Sequence, residues 1–209
     1  FSIDGAVFYS DLGFENNFQI YFKNINSIGK NIDTMKSSPD IQLSNIINLE
    51  SSLPLSKYTA KYYNTIVPKL SFRLNPTDMN DFSDENRSVN TNNIFDINRL
   101  GLDDLEQGKS LTLGLDYKKE SLRDINKYFE FKLAGLVRDV NQKNIPISSS
   151  LNQKTSNLFG SIKYNLSDNF ALGYNFSVDN DLSTFEENIL GLDFTFFPTS
   201  NEGFKLNSR

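Results

Sequence analysis

The stretch from Asn93 to Tyr117, NIFDINRLGLDDLEQGKSLTLGLDY, decides the fold. It begins as a polar, acidic loop and turns at Gly108 into strict alternation. Leu111, Leu113, Leu115 and Tyr117 fall on one face of a strand, and Ser110, Thr112, Gly114 and Asp116 on the other. One face is greasy and one is wet. Such a strand either covers the core of a water-soluble sandwich or turns its greasy side to lipid while small polar residues line a watery lumen.

Working outward, the same period of two recurs along the chain. Phe1 to Ser10 alternates, and about Asn16 to Asn26 sets Phe18, Ile20 and Phe22 against Asn17, Gln19, Tyr21 and Lys23. Ile41 to about Leu53 reads as a third strand. Ala60 to Leu74 reads as a fourth, in which Pro68 predicts a bulge or an unpaired donor. Beyond the strand at 109–120, Phe129, Phe131, Leu133 and Val137 oppose Glu130, Lys132, Ala134 and Arg138. Leu158 to Leu166 and Phe170 to Val178 form the cleanest hairpin, turning at Ser167-Asp168-Asn169. Leu190, Leu192, Phe194 and Phe196 oppose Gly191, Asp193 and Thr195, and no strand is expected after them. This gives about nine to ten strands and no convincing helix.

Composition excludes several functions. With no Cys and no His, disulfides, thiolate metal sites and the commonest catalytic base are absent from the 209 residues. The acids are scattered through loops rather than paired across a cleft, so no catalytic residue, metal site or cofactor is expected. A net charge of -5 without a basic cluster argues against nucleic acid. No apolar run approaches the roughly 20 residues of a membrane helix. Alternating strands carry a much weaker hydropathy signal, so a barrel is compatible with this composition. The 18 Phe and 9 Tyr suit strands and membrane interfaces.

The connections separate the sandwich from the barrel. Short and long ones alternate along the chain, as they do when neighbouring strands run up and down across a membrane, and a Greek-key sandwich has no reason to sort them so. The apolar rows are almost free of charge. Leu111, Leu113, Leu115, Phe129, Phe131, Leu172, Tyr174, Phe176, Leu192 and Phe194 are therefore expected to face lipid, and Arg73, Lys132, Lys163 and Asp193 the lumen. The fold class that follows is all-β: an antiparallel, up-and-down transmembrane β-barrel segment in which 1–209 is part of a single outer-membrane domain. Taken singly, each of those charges reads equally well on the solvated face of a soluble sheet.

Pro68-Lys69-Leu70-Ser71-Phe72 with Pro76, then Asn93 to Leu100, Asp103 and Glu106-Gln107-Gly108 leading into SLTLGLDY, resemble the outer-membrane lipopolysaccharide-assembly family LptD. Asn144 to Ser150 followed by Thr155-Ser156-Asn157 is similar to the segment that precedes a later amphipathic hairpin in that family. Where the family often has Gly before its Asp, this chain has Leu102-Asp103, with Gly101 one position earlier. The resemblance implies a large barrel in the Gram-negative outer membrane with an LptE-like plug lipoprotein inside it. Such a barrel receives lipopolysaccharide from periplasmic bridge proteins, meets outer-membrane lipids, and releases its load into the outer leaflet. On that reading the chain is mid-barrel wall and extracellular loops, without the family's periplasmic jellyroll and lateral gate.

The longest break, 75–107, holds eight acids against Arg87 and Arg99. Asn93, Phe95, Asn98, Arg99, Asp103 and Gly108 are expected to fold it over the lumen as a lid, with Arg99 paired to a nearby acid. The alternative is an ordinary solvated loop whose Arg makes a surface ion pair worth about 0 to 1 kcal/mol. A calcium loop lacks its ligand spacing here. Tyr9, Tyr117, Tyr164 and Tyr174 suit interfacial belts or simple cross-strand packing. Two rival functions remain: another outer-membrane barrel such as a porin or receptor, which shares the periodicity and differs at the motif, and a soluble β-rich carbohydrate-binding or adhesion module, which needs exposed aromatic platforms.

Overall fold

The computed structural model describes residues 1–29, 40–101, 105–195 and 205–208. Its strands are β1 (Ser2–Asp4), β2 (Phe8–Tyr9), β3 (Glu15–Ser27), β4 (Asp40–Ser52), β5 (Leu55–Tyr58), β6 (Tyr62–Asn75), β7 (Gly108–Ser121), β8 (Tyr128–Arg138), β9 (Leu158–Ser167), β10 (Phe170–Val178), β11 (Phe185–Thr195) and β12 (Lys205–Ser208). All belong to one antiparallel sheet in the order β1-β3-β4-β6-β7-β8-β9-β10-β11-β12, with β2 paired to β3 and β5 to β6. With β1 and β2 taken as one interrupted strand against β3, and β4 and β5 as another against β6, each strand neighbours the next in the chain, the meander that an up-and-down wall requires. The only helix among the described residues is a single 3-10 turn at Ile147–Ser149.

Cross-strand register sorts the side chains. From β6 to β7, Arg73 stands opposite Ser110, Ser71 opposite Thr112 and Lys69 opposite Gly114, while Phe72 stands opposite Leu111 and Leu70 opposite Leu113. The rows continue through β8 and β9, where Phe131 meets Ile162 and Lys132 meets Ser161. They reach β11, where Leu172 meets Leu192 and Ala171 meets Asp193. Because side chains alternate with period two, one face collects Leu, Phe, Ile and Tyr and the other collects the polar set.

Burial is the reverse of a soluble sheet. On the apolar face Leu113 is 51% exposed and Leu49 47%, whereas on the polar face Thr112 is 1% exposed and Arg73 3%. No second sheet covers the Leu and Phe rows among the described residues. The buried apolar cluster of Met79, Val89, Ile94, Leu100, Ala134, Leu136, Ile145, Leu151 and Phe159 forms where the two long loops, 76–107 and 139–157, press onto the polar side of β8 and β9. Those strands turn Ala134, Leu136 and Phe159 to that side by register.

Several expectations are corrected. Phe1 to Ser10 is two short strands rather than one; they part at Gly5, whose amide donates to Phe18 O. A strand does follow β11, since Lys205–Ser208 pairs with it from Leu192↔Ser208 to Thr195↔Lys205. The last long strand begins at Phe185, five residues before Leu190, and Phe196 lies outside the described residues. Pro68 leaves β6 unbroken: the register runs through it to Leu115. The interruption sits on the neighbouring strand, between β4 and β5 at Leu53 and Pro54, where Leu53 N donates to Pro68 O at 3.1 Å. In an antiparallel pair a residue's N and O point the same way, so the amide that proline lacks faces the gap.

Candidate functional site

The long loop between β6 and β7 is built upward from the strand ends. Asn75, the last residue of β6, donates from Nδ2 to Glu106 O at 3.0 Å and so ties the two ends of the loop together. Gly108 opens β7 at φ 99°, a left-handed geometry that glycine adopts without strain. Within the loop, Asn93 accepts from Asn90 N at 2.8 Å and donates to Ser88 O at 3.1 Å, fixing the turn that precedes Phe95. Asn98 accepts from Gly101 N at 2.8 Å and closes the next turn.

Arg99 then drops into the polar face. Its guanidinium donates to Ile94 O at 3.0 Å, Thr112 Oγ1 at 3.1 Å and Ser110 Oγ at 3.0 Å, and to the carboxylate of Glu106. The other oxygen of Glu106 accepts from Arg138 on β8, and Arg73 on β6 comes within 3.3 Å. One loop carboxylate thus joins three strands through three guanidinium groups, with every member of the cluster under 10% exposed. Burial pushes the Glu106 carboxyl up, but the charges of Arg99, Arg73 and Arg138 outweigh it and hold the group at about 2. Arg73 makes no hydrogen bond among the described residues, so it is the least satisfied member.

Phe95 sits further along the same face. A side-chain carbon placed on Gly114 would stand 2.6 Å from its ring, and Lys69 Nζ lies 5.7 Å from the ring centroid. Thr91 Oγ1 donates to Ser161 Oγ at 3.0 Å, linking the loop to β9. The second long loop braces the first: Phe82 N donates to Asn144 O at 2.9 Å, and Arg87 N to Ser148 Oγ at 3.0 Å.

Of the residues expected to form a lid, Asn93, Phe95, Asn98, Arg99 and Gly108 are all in or beside this loop, and Asp103 lies outside the described residues. The acid paired with Arg99 is Glu106, which in the sequence stands out only as part of Glu106-Gln107-Gly108, and Arg138 shows there only as a polar-face residue of its strand. Arg73 and Arg138 flank Ser110 in one cross-strand row with no acid on these three strands at that level, and the countercharge comes from the loop.

Lys132, Lys163 and Asp193 share this polar side with Arg73. Asp116 stands opposite Lys132, and Glu130 opposite both Lys118 and Lys163, giving a ladder of opposite charges toward the short-turn end. On the other side Leu111, Leu115, Phe129, Phe131, Leu172, Tyr174 and Phe176 are half-buried against one another, and Leu113, Leu192 and Phe194 are exposed. Phe129 packs against Tyr117 and Tyr164 with ring centroids 6.2 Å away in each case. No cluster of three metal-ligating side chains exists among the described residues. The arrangement holds the loop against the polar side of the sheet.

The sequence profile of a family described as LPS transport system D, LptD, matches residues 18–206. No curated protein matches the chain.

Proposed function

Because the chain belongs to the LptD family, outer-membrane proteins of Gram-negative bacteria that act in lipopolysaccharide transport and assembly, we propose that it is barrel wall and extracellular loop. In this role it helps deliver lipopolysaccharide into the outer leaflet. The Leu and Phe face meets hydrocarbon. The polar face lines the lumen that the sugars and phosphates of the load traverse, and 76–107, pinned by Glu106, roofs it at the outer end. A plug lipoprotein and a periplasmic bridge that supplies lipopolysaccharide are the partners this role needs. The segment supplies wall and lid.

The observation that carries the reading is the inverted burial: side chains that seek oil stand bare on one side, while Arg73, Ser110, Thr112 and Arg138 are sealed beneath a loop on the other. In water an exposed apolar face of this extent would aggregate; against hydrocarbon it is at rest. The test is a pair of substitutions on β10. Leu172 lies on the apolar side, level with Leu192 and Tyr164, and Asn175 on the polar side, level with Ser161. An arginine on the lipid side costs up to about 2 to 4 kcal/mol at mid-membrane and less toward the interface, and costs little on the lumen side. Leu172→Arg is expected to abolish heat-modifiable migration and Asn175→Arg to keep it; equal assembly of both would refute the orientation.

A further inference from the structure

At the short-turn edge of the sheet the apolar face changes character. An open groove of about 530 Å³ lies there, walled by Tyr62, Tyr117, Phe129 and Tyr164, with Lys119 and Lys127 at its polar end. Lys119 alternates with Tyr117 on the apolar side of β7, level with Phe129. Its ammonium stands 4.1 Å from the Tyr62 ring centroid and has no carboxylate partner among the described residues. A lysine on an apolar face is costly unless its head reaches an interface, and here its stem runs past tyrosines to the strand ends.

Charge is concentrated at this edge. On a chain of net charge -5, the strand ends and the turns at 59–61 and 122–127 bring together Lys57, Lys61, Lys119, Arg123 and Lys127. Leu122 N donates to Lys61 O at 3.0 Å, so the two turns are neighbours. The nearby acids are Asp124, 3.3 Å from Lys127, Asp168, which accepts from Asn126, and Glu120 on the opposite face of β7, paired with Lys118 at 2.8 Å. Cations over an aromatic wall at the boundary of an apolar face fit a phosphate whose glycerol and acyl chains run on along that face.

We propose that this groove binds the headgroup of an anionic phospholipid in the leaflet opposite the long loops. Lys119 and Lys127 take the phosphate, and the Tyr117, Phe129 and Tyr164 wall takes the glycerol and the upper acyl chain. The site rests on the reading above that this face meets hydrocarbon, and it lies at the opposite end of the strands from the Arg99–Glu106 cluster.

The test uses the full chain, assembled in detergent and exchanged into bilayer discs of phosphatidylglycerol and phosphatidylcholine, with retained lipids counted by native mass spectrometry. The wild type is expected to keep phosphatidylglycerol in preference to phosphatidylcholine. The Lys119→Gln, Lys127→Gln double variant loses that preference by roughly thirtyfold, and Lys143→Gln, on a long loop at the other end, leaves it intact. An undiminished preference in the double variant would overturn the site. Displacement of the lipid by millimolar inorganic phosphate would overturn the lipid as occupant in favour of a soluble anion. Heat-modifiable migration, scored on the same samples, separates failure of the membrane reading from failure of the site: a chain that migrates normally yet shows no lipid preference sinks only the latter.

Discussion

The ring of Phe95 occupies the space in which a side chain at Gly114 would stand. The loop residue and the strand residue are nineteen positions apart, yet a Cβ at 114 would lie 2.6 Å from the ring and 3.3 Å from Leu133 O. The glycine in an otherwise regular strand is a socket for the loop's aromatic residue.

Gly114→Ala is therefore expected to unseat Phe95 and loosen the loop by about 1 to 3 kcal/mol, as overpacking does. The strand itself keeps its register. Hydrogen exchange across 93–100 reads the loss, and Phe95→Leu in the same chain is expected to recover part of it. Strict additivity of the two substitutions would show that the ring and the glycine are not coupled.

Glu106 is the single anion among three buried guanidinium groups. Glu106→Gln leaves all three without a countercharge and is expected to cost about 3 to 5 kcal/mol, concentrated in the loop. Arg73→Met removes the cation that has no hydrogen bond and leaves the carboxylate with Arg99 and Arg138, so it is expected to cost much less. Protease sensitivity of the loop ranks the two, and a greater effect of Arg73→Met would contradict Glu106 as anchor.

Acid titrates the same contact. The Glu106 carboxyl falls from 4.5 to about 2 on folding. A depressed carboxylate contributes stability that is fully present above the unfolded value and is lost as pH falls through the folded one. Loop protection is expected to be level from neutral pH down to about 5 and to decline from about 4.5 toward 2. The Glu106→Gln variant, having nothing to protonate at that position, is expected to lack this transition; the same decline in the variant would assign it to another group.

A chain without cysteine permits an unambiguous cross-link. Thr91 Oγ1 and Ser161 Oγ are 3.0 Å apart across the loop and β9, so Thr91→Cys with Ser161→Cys is expected to oxidise readily. Since the loop is pinned by a buried ion cluster, oxidation is expected to leave surface delivery of lipopolysaccharide unchanged. Delivery that stops on oxidation and resumes with reductant would show that the loop must lift.

The strands were legible because period two survives in a single sequence. The Leu111 to Tyr117 row and the Leu158 to Val178 hairpin stand where alternation puts them, with ends within about two residues. The pieces at Phe1 to Ser10 were not separable, because alternation persists through the break at Gly5. The seat of the loop was legible only in part. Arg99 advertises itself as the lone cation between Arg87 and Lys109, but Glu106 is one acid among eight in the loop, and its choice depends on where Arg73 and Arg138 meet in space. The loop core was hidden for a related reason. Met79, Val89, Ile94 and Leu100 are spaced too irregularly to show periodicity, and Ala134, Leu136 and Phe159 look like exceptions on a polar face until a loop covers them.

Pro68 turns its ring nitrogen toward the point where β4 gives way to β5. A strand cannot zip shut across that point or slide to a neighbouring rung, because the missing donor travels with the residue. The break between β4 and β5 is therefore fixed to that rung of the sheet by the chemistry of one residue.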